Sequence, residues 1–238
     1  MEFKKLGLID PIVLALAEQG YTHPTPIQQQ AIPIVLQQKD LLGCAQTGTG
    51  KTAAFALPVL QLLFTGRTPT PGIKVLILTP TRELAIQINE SFEAYGKYTK
   101  ISHTVIFGGV SQVPQVAALK KGTDILIATP GRLLDLISQG HITLRHLQIF
   151  ILDEADRMLD MGFYDDIMFI IKHLPAKRQN LLFSATMPPK IREMARQILH
   201  EPSEINIAIS KPNEKITQEA FVVFEEQKIP LIKHVLQQ

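Results

Sequence analysis

Three carboxylates crowd into four residues at Asp153-Glu154-Ala155-Asp156, directly after the apolar run Gln148-Ile149-Phe150-Ile151-Leu152. A short run rich in β-branched and aromatic residues reads as a buried strand, so the acids stand where that strand ends. Like charges crowded there repel unless a cation or another partner joins them. In open α/β sheets this carboxyl edge is also where ligands bind. Taken alone, the same residues equally suit a solvated acidic turn opening a helix, because Asp and Glu favour first turns.

A second stretch supplies the cation chemistry. Ala45-Gln46-Thr47-Gly48-Thr49-Gly50-Lys51-Thr52 lies between a short strand-like run at 40–44 and an apolar helical run from Ala53 to Phe64. Strand, Gly-rich loop, Lys-Thr and helix form the phosphate-binding P-loop arrangement, with Ala45 in the position usually held by Gly. Gly48 and Gly50 let backbone N–H groups curve around a β-phosphate, and the helix N-terminus adds positive dipole. Lys51 suits the β/γ oxygens and the Thr52 hydroxyl suits Mg²⁺. With such a loop nearby, Asp153 becomes a Mg²⁺-holding acid at a strand end. Glu154 becomes a residue able to orient and deprotonate a water for in-line attack.

A third device occurs twice. The strand-like run 74–78 leads into Thr79-Pro80-Thr81-Arg82, and the run 125–128 leads into Thr129-Pro130-Gly131-Arg132, each followed by a helix. Each copy offers a hydroxyl, helix-start N–H groups and a guanidinium, which suit a phosphate; each also suits plain helix capping. Between them Gly108-Gly109 permits close backbone approach to a ligand, or simply a turn.

These motifs need a scaffold, and the apolar runs describe one. Runs at 40–44, 74–78, 103–106, 125–128, 148–152, 180–183 and 205–209 mostly alternate with helical segments. That predicts an α/β domain: a mostly parallel, twisted sheet with helices on both faces. Helices are expected at 11–19 with Asp10 as N-cap, at 27–38, and from Pro188-Pro189 to about Leu199. Residues 20–26 read as a Pro-stiffened connector. Beyond 209 the texture changes to a polar linker at 210–217, and 218–238 opens a further domain with a strand at Phe221–Phe224 and a helix from Lys228. Parallel strands bring 45–52, 79–82, 108–109, 129–132, 153–156 and Ser184-Ala185-Thr186 to one edge, and the site reads as a nucleoside triphosphatase.

Composition narrows the class. Charge is nearly balanced, with 24 Lys+Arg against 22 Asp+Glu, so nucleic-acid binding has to be local rather than a bulk-charge effect. A single cysteine, Cys44, excludes an internal disulfide, fits a reducing cytoplasmic setting, and reads as a buried small hydrophobe. No apolar run approaches the ~20 residues of a membrane span, and the N-terminus lacks a signal-peptide core. Seven scattered histidines carry no zinc-ligand spacing. A GTPase would carry an Asn-Lys-x-Asp guanine reader, which is not present.

With these motifs in order, residues 3–209 resemble the first RecA-like domain of the DEAD-box ATP-dependent RNA helicases. The acidic stretch matches the DEAD motif letter for letter, and 45–52 matches the family's P-loop form A-x-T-G-x-G-K-T. The match continues with P-T-R-E-L-A at 80–85, G-G at 108–109, T-P-G-R at 129–132 and S-A-T at 184–186. Gly20 to Gln28 matches the adenine-reading Q motif, with the aromatic Phe3 seventeen residues before its Gly. The opening residues are similar to the bacterial RhlE-type branch.

The resemblance implies that Gln28 bonds the adenine edge and Phe3 packs on its face. It implies RNA backbone contacts for Pro80, Thr81, Arg82, Gly108, Gly109, Thr129, Pro130, Gly131 and Arg132. Ser184 and Thr186 would bond to Asp156 and link hydrolysis to RNA binding. Lacking aromatics, these RNA-side motifs should ignore base sequence and bind less tightly as salt rises. In the family a second RecA-like domain supplies an arginine finger, a group worth about 10³–10⁵ in rate. These 238 residues, read as a monomeric fragment, are therefore expected to bind ATP and Mg²⁺ but turn over slowly. An ATP-gated RNA clamp would share every motif.

Overall fold

Alternation within the strands decides the architecture. In the computed structural model, which describes residues 2–66, 70–207 and 220–236, each central strand sends alternate residues into two different cores. Val75 and Ile77, Ile125 and Ile127, and Ile149 and Ile151 join one core, while Leu76 and Leu78, Leu126 and Ala128, and Phe150 and Leu152 join the other. A strand buried on both faces must be apolar throughout, which is why these runs show no polar alternation.

The strands are β1 (Leu41–Cys44), β2 (Val75–Leu78), β3 (His103–Ile106), β4 (Ile125–Ala128), β5 (Ile149–Leu152), β6 (Gln179–Ser184) and β7 (Ser203–Asn206). They form one sheet in the order β3-β4-β2-β5-β6-β1-β7, with every pair parallel. The helices are α1 (Asp10–Glu18), α2 (Pro26–Leu36), α3 (Lys51–Thr65), α4 (Arg82–Gly96), α5 (Val113–Lys120), α6 (Pro130–Ser138), α7 (Ala155–Asp160), α8 (Tyr164–Lys172) and α9 (Pro189–Ile198). Helices α1 to α4 pack on the first core, and α6 to α9 on the second. This is the RecA-like α/β arrangement, all parallel.

Register aligns the strand ends. Leu78 lies opposite both Ala128 and Leu152, Leu152 opposite Leu182, and Cys44 opposite Ser184. The chain leaves β1 through α3 and enters β2 on the far side of positions later filled by β5 and β6. One buried carboxylate ties the opposite end of this arrangement together. Asp40 Oδ1 accepts from the Asn180 amide at 2.7 Å, and its Oδ2 accepts from Asn180 Nδ2 at 3.0 Å and the His200 amide at 2.8 Å.

Several expectations need correction. Asp10 is the first residue of α1 and Ile9 its cap, since Pro11 sits one position deeper than expected. Cys44 is half-buried, its Sγ lying 3.6 Å from the Ala185 carbonyl at the open strand edge. The chain divides into two compact units, Met1–Ala208 and Ile209–Gln238. In the second, residues 220–224 form no strand, and only a 3₁₀ turn (Glu225–Gln227) and α10 (Lys228–Val235) follow. A strand is defined by its ladder, and among the described residues of that unit nothing pairs with 221–224. The expected linker at 210–217 lies outside the described residues.

Candidate functional site

The P-loop closes on itself and on its neighbours. Thr49 donates its hydroxyl to the Gln46 carbonyl at 2.7 Å, and the Ala45 amide bonds the Ser184 carbonyl at 3.0 Å, binding the loop to β6. Lys51, the first residue of α3, donates Nζ to the Ala45 carbonyl at 2.8 Å. Gly50 caps α3 at φ 92°, a left-handed conformation that favours glycine. A Cβ there would also lie 2.3 Å from Gln28 Nε2.

That contact reveals what Gln28 does inside the protein. Its side chain is 1% exposed. Oε1 accepts from the Thr25 amide at 3.0 Å, which is half of a capping box at the start of α2, and Nε2 donates to the Gly50 carbonyl at 3.1 Å. One amide therefore joins the connector at 20–26 to the P-loop.

The acidic stretch divides its labour. Asp153 is 2% exposed, and its Oδ1 accepts from the Glu154 amide at 3.0 Å. Burial pushes its carboxyl up to about 6; Lys51 pulls against this, and the Glu154 charge adds to it. Glu154 is a non-glycine residue at φ 54°, ψ 50°, a sparsely populated conformation found where neighbours over-determine the backbone. Its Oε2 lies 3.3 Å from Arg157 Nη1.

Asp156 faces β6. Its Oδ2 accepts from the Thr186 amide at 2.8 Å and hydroxyl at 2.9 Å, and its own amide donates to Ser184 Oγ at 3.3 Å. Burial alone would raise the Asp156 carboxyl, but bonds from Thr186 and Ser184 outweigh it and hold it below its ordinary value.

Two cavities open on this edge. The first, about 380 Å³, is lined by Gln28, Thr47, Gly48, Gly50, Lys51, Thr52, Asp153 and Glu154, with Tyr21 and Tyr95 along one wall. The two tyrosines meet edge to face, with centroids 5.9 Å apart. Phe3 lies elsewhere, packed in the first core at 3% exposure. Ala45 is likewise buried behind the loop.

The second cavity, about 590 Å³, lies across β2 and β4. It gathers Pro80, Thr81, Arg82, Gly108, Thr129, Gly131 and Arg132; Gly109 and Pro130 are not among its lining residues. The two T-P-x-R copies differ in detail. Thr81 caps α4, accepting from the Leu84 amide at 3.3 Å, whereas the Thr129 hydroxyl makes no capping bond. Arg132 Nη2 donates to the Val110 carbonyl at 2.9 Å, and its Nη1 is buried with no partner among the described residues.

Five lining residues were given no role from sequence: Glu83, Phe107, Asp135, Met161 and Phe163, of which Asp135 Oδ2 lies 3.7 Å from Arg132 Nε. The cavity is not devoid of aromatics, as the motifs alone suggested. Phe107 stands next to Gly108, but only the fold brings 161 and 163 beside β4.

The family model described as DEAD/DEAH box helicase matches residues 25–194. This chain belongs to the DEAD/DEAH box helicase family. It is 45% identical over 235 residues to the DEAD-box ATP-dependent RNA helicase RhpA of Helicobacter pylori, covering 98% of this chain and 47% of that protein. It is 49% identical over 209 residues to the ATP-dependent rRNA helicase rrp3 of Schizosaccharomyces pombe, covering 87% and 44% respectively. The crystal structure of a DEAD box protein from Methanococcus jannaschii superposes with a TM-score of 0.82 at 38% identity, covering 100% of this chain and 64% of that one. The chain thus spans about half the length of the curated relatives it matches. In DEAD-box terms, the P-loop, DEAD and S-A-T stretches meet across β1, β6 and β5, while P-T-R-E-L-A, G-G and T-P-G-R meet across β2, β3 and β4.

Proposed function

We propose that this chain is the nucleotide-binding half of an ATP-dependent RNA helicase, holding ATP in the first cavity and the RNA backbone in the second. The observation that carries this reading is the pair of cavities on one sheet edge, one around Lys51 and Asp153 and the other around Arg82 and Arg132. Glycine-rich backbone, one buried lysine and a helix N-terminus suit a triphosphate. Two arginines, a free-standing threonine hydroxyl and helix-start amides suit a sugar–phosphate chain read without regard to base.

In this reading Gln46, Thr47, Gly48 and Thr49 wrap the phosphates, Lys51 neutralises them, and Glu154 orients the attacking water and takes its proton. Gln28 reads the adenine edge with the N–H and lone pair it does not spend on Gly50 and Thr25. Burial of Phe3 favours Tyr21 and Tyr95 as the visible aromatic wall, so an adenine contact by Phe3 requires its ring to be uncovered. Asp156, tied to Ser184 and Thr186, joins the two halves of the edge.

Magnesium fits the donor set. Thr52 and Asp153 offer hard oxygens to the same cavity, and a carboxyl pushed up to about 6 by burial is one that a nearby cation would return to its charged form. Mg²⁺ needs only one or two protein ligands beside phosphates and waters, so Thr52 and Asp153 suffice to hold it. Bound there it would neutralise charge on the phosphates. The unit from residue 209 supports a reading as the start of a second RecA-like domain. One cysteine supports a reducing, cytoplasmic setting.

Calorimetry with Mg-ATP and Mg-GTP tests the nucleotide reading. ATP should bind and GTP should not compete; equal affinity for both would overturn it.

A further inference from the structure

We propose that Phe107, clamped through its backbone by Gln115, is a positioning residue that aims Arg82 into the second cavity; this rests on reading that cavity as the RNA site. Phe107 is the first residue beyond β3, an edge strand whose outer side has no neighbouring strand among the described residues. Backbone groups at such an edge need partners. Gln115 on α5 provides them. Its Oε1 accepts from the Phe107 amide at 3.0 Å, and its Nε2 donates to the Phe107 carbonyl at 3.2 Å and the Ser111 carbonyl at 3.2 Å.

A side-chain amide carries an acceptor and a donor side by side, as a peptide unit does, so Gln115 pairs with Phe107 as another strand would. With Gln115 only 8% exposed, water does not easily replace these bonds.

The clamp fixes the backbone from which the ring projects. Arg82 Cζ lies 5.2 Å from the Phe107 ring centroid. A guanidinium resting on an aromatic face is held by the ring quadrupole while its N–H edges stay open to a phosphate. Arg82 is otherwise an exposed, many-rotamer side chain at the start of α4. Two residues further along the same loop from Gly108, the Val110 carbonyl holds Arg132. The stretch Phe107–Ser111 thus touches both guanidiniums of the cavity, Arg82 through a ring face and Arg132 through a carbonyl, while Asp135 pairs with Arg132 Nε at 3.7 Å.

The test is the affinity of the chain for a fluorescein-labelled single-stranded oligouridine, read by anisotropy at low salt. Arg82→Ala should weaken binding about tenfold, as loss of a charge-assisted phosphate bond does. Phe107→Leu should weaken it about two- to fivefold, and Phe107→Tyr, which keeps the ring face, should restore the parental value. Because Phe107 acts through Arg82, Phe107→Leu should cost nothing further in the Arg82→Ala background. If Phe107→Leu does not unfold cooperatively, Phe107→Met serves in both backgrounds. Parental affinity for Phe107→Leu, the same loss for Phe107→Tyr, or an undiminished loss in the Arg82→Ala background overturns the inference alone. Parental affinity for Arg82→Ala overturns the RNA reading of the cavity along with it.

Discussion

Replacing Gln28 by glutamate keeps the shape of the side chain and its acceptor toward the Thr25 amide, but turns the donor facing the Gly50 carbonyl into an acceptor. The two oxygens would then face each other across the 3.1 Å now spanned by a hydrogen bond, in a site where the side chain is 1% exposed. Losing the bond costs about 1 kcal/mol, and leaving two buried acceptors opposed adds about 1–3 kcal/mol, giving roughly 2–4 kcal/mol in all. For a domain of this size each kcal/mol moves Tm by about 2–4 °C, so the nucleotide-free protein should melt roughly 5–15 °C lower. Circular dichroism or differential scanning calorimetry without nucleotide measures this directly.

The deficit should have a pH signature. The introduced carboxyl, when protonated, can donate to the Gly50 carbonyl again, so burial and that bond raise its folded pKa above the unfolded value. Its penalty is therefore smallest at low pH and grows as pH rises through the folded pKa. Raising pH from about 5 to 8 should widen the gap from the parent protein. A nucleotide-free Tm within about 2 °C of the parent at every pH would refute the reasoning, leaving Gln28 without a structural role before nucleotide binds.

Lys51→Ala should abolish ATP binding by calorimetry while the fold persists, and unchanged affinity would refute the P-loop assignment. Asp40→Ala strands two buried donors, the Asn180 amide and Asn180 Nδ2, and frees the part-buried His200 amide. At about 1–3 kcal/mol for each buried donor, less relaxation, it should lower unfolding free energy by roughly 2–5 kcal/mol in urea. An unchanged urea midpoint would show that water replaces the carboxylate. Among the described residues lining the first cavity, Lys51 is the only Lys, Arg or His. RNA-stimulated ATP turnover by this chain should therefore fall about 10³-fold or more below that of a helicase with a further arginine at its phosphates. Matching rates would mean that these residues already supply the transition-state charge.

The chemistry was legible because its residues are contiguous. The P-loop combines glycines, a lysine and a threonine in a pattern suited to a phosphate, DEAD crowds acids that suit a cation, and both stretches, like S-A-T, follow a short apolar run. Five of the seven strands were equally plain, but β7 runs Ser203–Asn206, two residues ahead of the apolar run 205–209. Even β3, the faintest run, lies where its β-branched residues placed it, at residues 103–106. Beyond these motifs legibility fades. Nothing local marks Gln115, a glutamine in a helix of weak apolar pattern, as the partner of a backbone eight residues earlier. The family resemblance implies a ligand contact for Gln28 and says nothing of its bond to the P-loop twenty-two residues away. Cys44 followed an apolar run and read as buried, but the strand ends there and the edge is open.

By itself the sequence determined that this is a parallel α/β P-loop domain and which residues are candidates for its chemistry. Only the tertiary structure decided which of those residues touch. Strands buried on both faces are apolar throughout, so nothing in their pattern says which one lies beside which. The order β3-β4-β2-β5-β6-β1-β7 sets β6 between the P-loop strand and the DEAD strand, and so brings Thr186 against Asp156. The same order sets β2, β4 and β3 side by side, and so rests Arg82 on Phe107. Strand order is a property of how the helices pack across the sheet, and it is fixed by contacts between residues distant in the chain.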